Sequence, residues 1–243
     1  MTGVALAFAG IHKSFGPHVA LADFTLQVYE GELFGLVGIN GAGKTTLLKC
    51  MLDFAAPDAG TIRIFGESHR NTTARAGLAF LPEHFLPPYY LTGGDFLRYM
   101  LALYGTPYYL AQAEETLDAL DLDRRALQKP VRSFSKGMTQ KLGLAACLLS
   151  GKRLYVLDEP SSGLDPKARA LLKSELLALR RQGCTLFLTS HLLADVEQLC
   201  DRMAVLHDGT IRFVGAPTEL LAQHGVSDME SAFLACIESA KDR

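Results

Sequence analysis

The sequence predicts an α/β protein: a core built on a mostly parallel β-sheet, an antiparallel β subdomain at the N-terminus, and an inserted helical lobe. Three observations carry this reading. Glu32–Val37, Leu154–Leu157 and Thr185–Thr189 are short, largely apolar runs, the mark of strands buried on both faces. Apolar residues at helical spacing follow, as in Thr46–Leu52 and 166–181. Between about 84 and 150 the strand-like runs stop and helical patterns take over. A chain of 243 residues has room for one α/β domain with a smaller lobe inserted, or for two small domains. The expected division is a core over about 1–83 and 151–216, a lobe over about 84–150, and a helical tail over about 217–243.

In chain order, residues 4–37 are strand-rich, punctuated by turn signals at Phe15-Gly16-Pro17 and Glu30-Gly31. Asp58-Ala59-Gly60 opens a turn into a strand over Thr61–Phe65. Gly77–Leu81 reads as a buried strand ending at Pro82-Glu83. Phe85–Leu91 is an aromatic loop broken by Pro87 and Pro88. Helical patterns follow near 94–104, where Thr92 is placed to cap, and 108–121, where Leu117 and Leu120 share a face. A further apolar helix is expected over Lys141–Leu149, and one over 166–181 with Pro166 in its first turn. Met203–His207 and Thr210–Val214 flank Asp208-Gly209, a hairpin signal. Residues 217–240 read as amphipathic helix.

Composition narrows the function classes. Apolar residues make up 49% of the chain, enough for a sizeable core and too many for a disordered one. With 24 basic against 26 acidic residues the net charge is −2, so no nucleic-acid footprint is expected. Cys50, Cys147, Cys184, Cys200 and Cys236 form no Cys-x-x-Cys pair, and the expectation is reduced thiols in a reducing compartment. Met1–Phe8 lacks a basic leader and reads as the start of a first strand rather than a signal peptide. No run of about 18 uncharged apolar residues occurs, so work at a membrane would need another chain to cross it.

The strongest chemical signal is Gly38, Ile39, Asn40, Gly41, Ala42, Gly43, Lys44, Thr45 and Thr46, a P-loop between a strand and a helix. Glycines let the backbone curl close to a polyphosphate, with N–H groups aimed at its oxygens. A helix starting near Gly43 adds the positive end of its dipole. Lys44 would reach the outer phosphates, and the Thr45 hydroxyl would bind Mg²⁺. The second signal is Asp158-Glu159, adjacent acids ending a buried strand, where a cation or a proton must justify them. Asp158 is expected to hold Mg²⁺ and Glu159 to act as general base toward water. Ser133–Gln140 is a Ser/Gly stretch before a helix, which serves either an anion or a simple N-cap. Ser162–Asp165 alone is a turn before Pro166. His191, just past a buried strand, lies at the ligand-binding edge of such a sheet or is structural.

The order of these motifs resembles the ATP-binding subunit of ABC transporters, over nearly the whole chain from Val4 to about Val214. Gly38–Thr45 looks like the Walker A motif and Leu154–Glu159 like Walker B, so the resemblance implies a P-loop NTPase core. Ser133–Met138 sits at the family's signature, with Ser135 and Gly137 matching. Ser162–Asp165 resembles the D-loop, His191 the switch histidine, and Phe15 the aromatic that stacks on adenine. Two departures stand out. The signature carries Lys136 for the first glycine and Met138 for glutamine, a version similar to that of multidrug, sodium and polysaccharide exporters. Glu83 replaces the usual Q-loop glutamine, as a candidate Mg²⁺ ligand. The resemblance implies an ATPase with ATP and Mg²⁺ as cofactors, working as a head-to-tail homodimer or a pair with a related cassette. Ser135, Gly137 and Asp165 would complete the partner's site, and His191 would contact the γ-phosphate. A transmembrane permease would be contacted through the lobe and Phe85–Leu91, placing the chain on the cytoplasmic face of the cell membrane. The alternative is a soluble ATPase of this type that clamps a non-membrane partner.

Overall fold

A computed structural model describes residues 3–238. Its strands are β1 (Val4–Phe15), β2 (His18–Tyr29), β3 (Leu33–Val37), β4 (Ala59–Ile64), β5 (Glu67–Ser68), β6 (Leu78–Leu81), β7 (Leu154–Asp158), β8 (Thr185–Ser190), β9 (Arg202–His207) and β10 (Thr210–Gly215). Its helices are α1 (Lys44–Met51), α2 (Thr72–Ala76), α3 (Gly93–Tyr104), α4 (Leu110–Ala119), α5 (Lys136–Leu148), α6 (Pro166–Arg181), α7 (Leu193–Leu199), α8 (Pro217–His224) and α9 (Met229–Glu238).

The strands form two sheets. One is antiparallel, in the order β2-β1-β4-β5. The other runs β10-β9-β3-β8-β7-β6, parallel from β9 to β6 with β10 antiparallel at one edge. The fully apolar strands are explained by what lies on each face. Along β3, Leu33 and Val37 point into one hydrophobic cluster and Phe34 and Leu36 into the other. Tyr155 and Leu157 alternate in the same way with Leu154 and Val156 on β7. The first cluster is shared with helices α3 to α9, the second with the antiparallel sheet, α1 and α2. Side chains of successive strand residues face opposite ways, so a strand covered on both sides must be apolar throughout.

Aromatic rings tie the two sheets together. Phe187 of β8 stacks on Phe34 of β3 with centroids 5.9 Å apart, and lies 6.3 Å from Phe8 of β1. Phe8 in turn meets Phe24 of β2 edge to face at 5.5 Å.

Several expectations need correction. The helix expected over Lys141–Leu149 begins at Lys136, because the Ser135 hydroxyl accepts from the Met138 N–H and caps an earlier start. Residues 217–238 form two helices, broken at Gly225, whose φ of 65° ends α8; residues 239 and 240 lie outside the described residues. Short β5 and α2, of two and five residues, are too brief to show a period in the sequence. The Asp208-Gly209 turn is as expected, with positive φ at both residues (46° and 71°), the type I′ geometry that suits a twisted hairpin. Thr92 caps α3 through the Asp95 N–H.

Phe187 is completely buried between the two sheets. Phe187→Ala is expected to cost about 3–5 kcal/mol, read as a lowered urea midpoint; a loss under about 1 kcal/mol would contradict the packing described.

Candidate active site

Parallel pairing assembles the site. Leu81 of β6 pairs with Leu157 of β7, Asp158 of β7 with Thr189 of β8, and Val37 of β3 with Ser190 of β8. Each strand then ends at the same edge, so Glu83, Asp158-Glu159, His191 and Gly38 emerge side by side from segments far apart in sequence. Ligands of open α/β sheets bind at this carboxyl edge.

The loop after β3 is seated by close backbone contact. A side-chain carbon on Gly38 would lie 2.4 Å from the Leu206 carbonyl, and one on Gly43 2.5 Å from the Ala20 carbonyl. The Gly209 N–H of the β9–β10 turn donates to the Ala42 carbonyl at 3.1 Å. Gly43 has φ 111° and precedes α1, whose first intrahelical bond runs from the Leu47 N–H to the Gly43 carbonyl. The amides of Lys44, Thr45 and Thr46 come before that bond and face the end of the helix, a ready acceptor of negative charge.

Lys44 is buried and folded back on the loop. Its Nζ donates to the Gly38 carbonyl at 2.5 Å and lies 3.8 Å from Glu159 Oε1. Burial lowers its ammonium pKa, while Glu159, Asp158 and Glu83 pull the other way.

Asp158 is buried, and the Thr189 hydroxyl donates to its Oδ1 at 2.5 Å. Burial holds the Asp158 carboxyl above its usual range; the Thr189 bond opposes this, and the like charges of Glu83 and Glu159 add to it. Glu159 is also buried and has φ 48°, a left-handed backbone that costs a non-glycine residue about 1–3 kcal/mol. Its N–H donates to the Thr189 carbonyl at 3.3 Å and to the Thr189 hydroxyl at 3.1 Å, which fixes this turn. Glu159 Oε2 accepts from the His191 backbone N–H at 3.2 Å and lies 2.8 Å from His191 Nδ1.

A cleft of about 400 Å³ collects these parts. Phe15, Ile39, Asn40, Gly41, Ala42, Gly43, Lys44, Thr45, Thr46, Glu83, Asp158 and Glu159 line it, with His18 and Ala20 of β2 completing the wall beside Phe15. Gly38 lies beneath the loop, and His191 reaches the cleft through Glu159. Ser135, Gly137 and Asp165 lie outside the lining. Ser135 caps α5, while Asp165 caps α6 by accepting from the Ala168 N–H at 2.9 Å. The two helix tips meet: the Lys136 side chain runs over Gly163, and a side-chain carbon on Gly137 would lie 3.2 Å from the Gly163 carbonyl.

Thr189 carries no signal of its own in the sequence, and Gln140 and Gly163 enter there only as members of the Ser133–Gln140 and Ser162–Asp165 stretches. Gln140 is buried and its Nε2 donates to the Pro160 carbonyl at 3.3 Å, joining α5 to the segment after β7. The aromatic loop divides. Phe85 packs edge to face on Phe96 at 5.4 Å and Leu91 is half-buried, whereas Leu86, Tyr89 and Tyr90 are 89%, 69% and 70% exposed.

With this geometry in place, comparison with known proteins decides the family. The profile of the family described as "ABC transporter" matches residues 21–162, more than half of the chain. The chain belongs to the ABC transporter family. It is an ATP-binding domain of that family. An uncharacterised ABC transporter ATP-binding protein of Nostoc sp. is 39% identical over 84% of this chain and 62% of its own length. A similar Synechocystis sp. protein is 38% identical over 83% of this chain and 58% of its own. The chain thus spans about three fifths of these two relatives. The Nod factor export ATP-binding protein I of Paraburkholderia xenovorans is 36% identical over 96% of this chain and 78% of its own length. A solved structure titled "Structure of ATP binding subunit of ABC transporter" superposes with a TM-score of 0.87 at 30% identity, covering 96% of this chain and 99% of its own. Among the described residues of the cassette, no helix is long and apolar enough to cross a membrane.

The raised pKa of Asp158 has a testable sign. Its folded-state value lies above its unfolded one, so the nucleotide-free fold binds more protons and loses stability as pH rises from the usual carboxylate range toward neutrality. Asp158→Asn removes the buried charge. At neutral pH it is expected to raise the melting temperature of the nucleotide-free protein by a few degrees, about 1 kcal/mol. The gain should shrink toward about pH 4. Scanning fluorimetry across pH checks this; a variant that melts lower at neutral pH contradicts it.

Proposed function

We propose that this cassette is the ATP-binding and ATP-hydrolysing subunit of a membrane exporter, driven by ATP-dependent head-to-tail pairing with a second copy or a related cassette. The observation that carries the reading is the single cleft where residues 39–46 face Glu83, Asp158 and Glu159, with Phe15 at its mouth. The donor set suits Mg·ATP. Helix-end amides and Lys44 match a triphosphate, and Phe15 (51% exposed) offers a ring face for adenine. Among the described residues no group of three or more His, Cys, Asp or Glu could hold a metal by itself. Mg²⁺ is bound through one or two carboxylates together with phosphate oxygens, so Thr45 and Asp158, with Glu83 nearby, suffice as the protein's share.

When bound, Mg·ATP supplies the phosphoanhydride bond to be cleaved. The chain's residues position and balance charge, which is most of what phosphoryl transfer asks of a protein. The amides of α1 and Lys44 hold the phosphates, and Lys44 exchanges its Gly38 and Glu159 contacts for them. Glu159, fixed by Thr189 and His191, accepts the proton of the attacking water. His191 orients Glu159 through Nδ1 and keeps Nε2 for the γ-phosphate.

Ser135, Gly137 and Asp165 are given to the partner's site. The separation of the α5 tip from its own cleft supports this, since Ser135, Gly137 and Asp165 take no part in lining the cleft of their own chain. The exposed Leu86, Tyr89 and Tyr90, anchored by Phe85 and Leu91, are assigned to the permease, because contiguous exposed apolar residues mark interfaces. The export direction is supported by the Nod factor export relatives and by the Ser135-Lys136-Gly137-Met138 sequence. The same reading places the cassette on the cytoplasmic face of the cell membrane.

Glu159→Gln is expected to lower ATP hydrolysis by about 100-fold or more and to trap an ATP-bound dimer visible by size-exclusion chromatography. Normal turnover would remove Glu159 from the base role. Lys44→Ala should instead weaken nucleotide binding in a direct titration. Tyr89→Asp should reduce co-purification with the permease from detergent-solubilised membranes while isolated ATPase activity persists; undiminished co-purification would count against the loop.

A further inference from the structure

The charges lining the cleft do not balance. Glu83, Asp158 and Glu159 contribute carboxylates, and Lys44 contributes an ammonium. Lys44 is already engaged, 3.8 Å from Glu159 and bonded to the Gly38 carbonyl. Thr189 satisfies one oxygen of Asp158, and His191 one oxygen of Glu159. Glu83 has no such fixed partner among the hydrogen bonds and ion pairs of the described residues. Its position follows from the sheet: it stands two residues beyond Leu81, and Glu159 stands two beyond Leu157, the residue paired with Leu81. Its charge acts on both Asp158 and Lys44. A triphosphate entering here brings several further negative charges. The α1 amides and a single ammonium, which must leave Glu159 to reach the phosphates, are what the cleft sets against them, and the buried setting strengthens every repulsion.

We infer that Glu83 makes a divalent cation a condition of triphosphate binding, so that this cassette selects metal-bound ATP over free ATP at the binding step itself. A neutral amide here would leave the cleft one negative charge fewer, and metal-free ATP could then settle on the loop. The carboxylate raises the repulsion felt by the bare triphosphate and adds an oxygen ligand, direct or through water, for the metal-bound form. Both effects push the two affinities apart. The inference rests on the ATP site proposed above and adds to it a discrimination between two forms of the ligand.

The test is equilibrium binding of the non-hydrolysable analogue adenylyl imidodiphosphate, by calorimetry, in excess Mg²⁺ and in excess EDTA. Wild type should bind the metal-free analogue far more weakly than the metal-bound one. Glu83→Gln, nearly isosteric at a half-buried loop position, should shrink that ratio by about tenfold, the scale of one partly screened charge. Glu83→Asp, which keeps the charge, should retain most of the ratio and separates electrostatics from loss of shape. Equal ratios in wild type and Glu83→Gln, or a loss in Glu83→Asp as large as in Glu83→Gln, would overturn the inference while leaving the ATP site standing. Failure of wild type to bind the analogue in either buffer would overturn both.

Discussion

The parallel pairing of β6, β7, β8 and β3 is the constraint on which the rest depends. Hydrogen bonds between these strands put Leu81 beside Leu157, Asp158 beside Thr189 and Val37 beside Ser190. Glu83, Glu159, His191 and Gly38 follow within two residues of those pairs, and the glycine loop carries the chain on from Gly38 to Lys44 and Thr45. A slip of one residue along any strand would swap its faces, burying the wrong side chains in both hydrophobic clusters. The two-sided core therefore locks the register, and the register places the carboxylates against the loop. Packing energy is thus converted into positional accuracy at the sheet edge.

The site itself is held at some cost. Asp158, Glu159 and Lys44 are buried charged groups, and Glu159 sits in a backbone conformation that only surrounding bonds can maintain. Thr189 meets much of that need, bonding both the Asp158 carboxylate and the Glu159 amide. One hydroxyl thereby orients both acids. A fold that carries such groups without a ligand stores an imbalance that a cation and an anion together can relieve.

Much of this was legible in the sequence, for reasons that differ from element to element. β3, β7 and β8 announce themselves as apolar runs because both faces are covered. The P-loop declares its ligand because only glycines fit where the Leu206 and Ala20 carbonyls press on it. The Asp208-Gly209 hairpin was visible because few residues accept two consecutive positive φ values. The early start of α5 was hidden, since Lys136, Gly137 and Met138 show no helical period and only the Ser135 cap reveals it. Gly225 was lost in a long amphipathic pattern that continues past the break. Thr189, Gln140 and Gly163 could not be found in one dimension: each matters through a partner 20 to 31 residues away, known once strands and helix tips are in place. The cleft brings the loop, Phe15 and the acids together, whereas Ser135 and Asp165 stand at helix tips outside it.

The ring-to-ring ladder running from Phe24 through Phe8 and Phe187 to Phe34 has a mechanical corollary. It rivets the strand carrying Phe15 to the strand that feeds the glycine loop, so the two walls of the crevice belong to one stiff block. A ligand held between the glycine loop and Phe15 would therefore rest on one continuously packed unit rather than on two separately anchored parts.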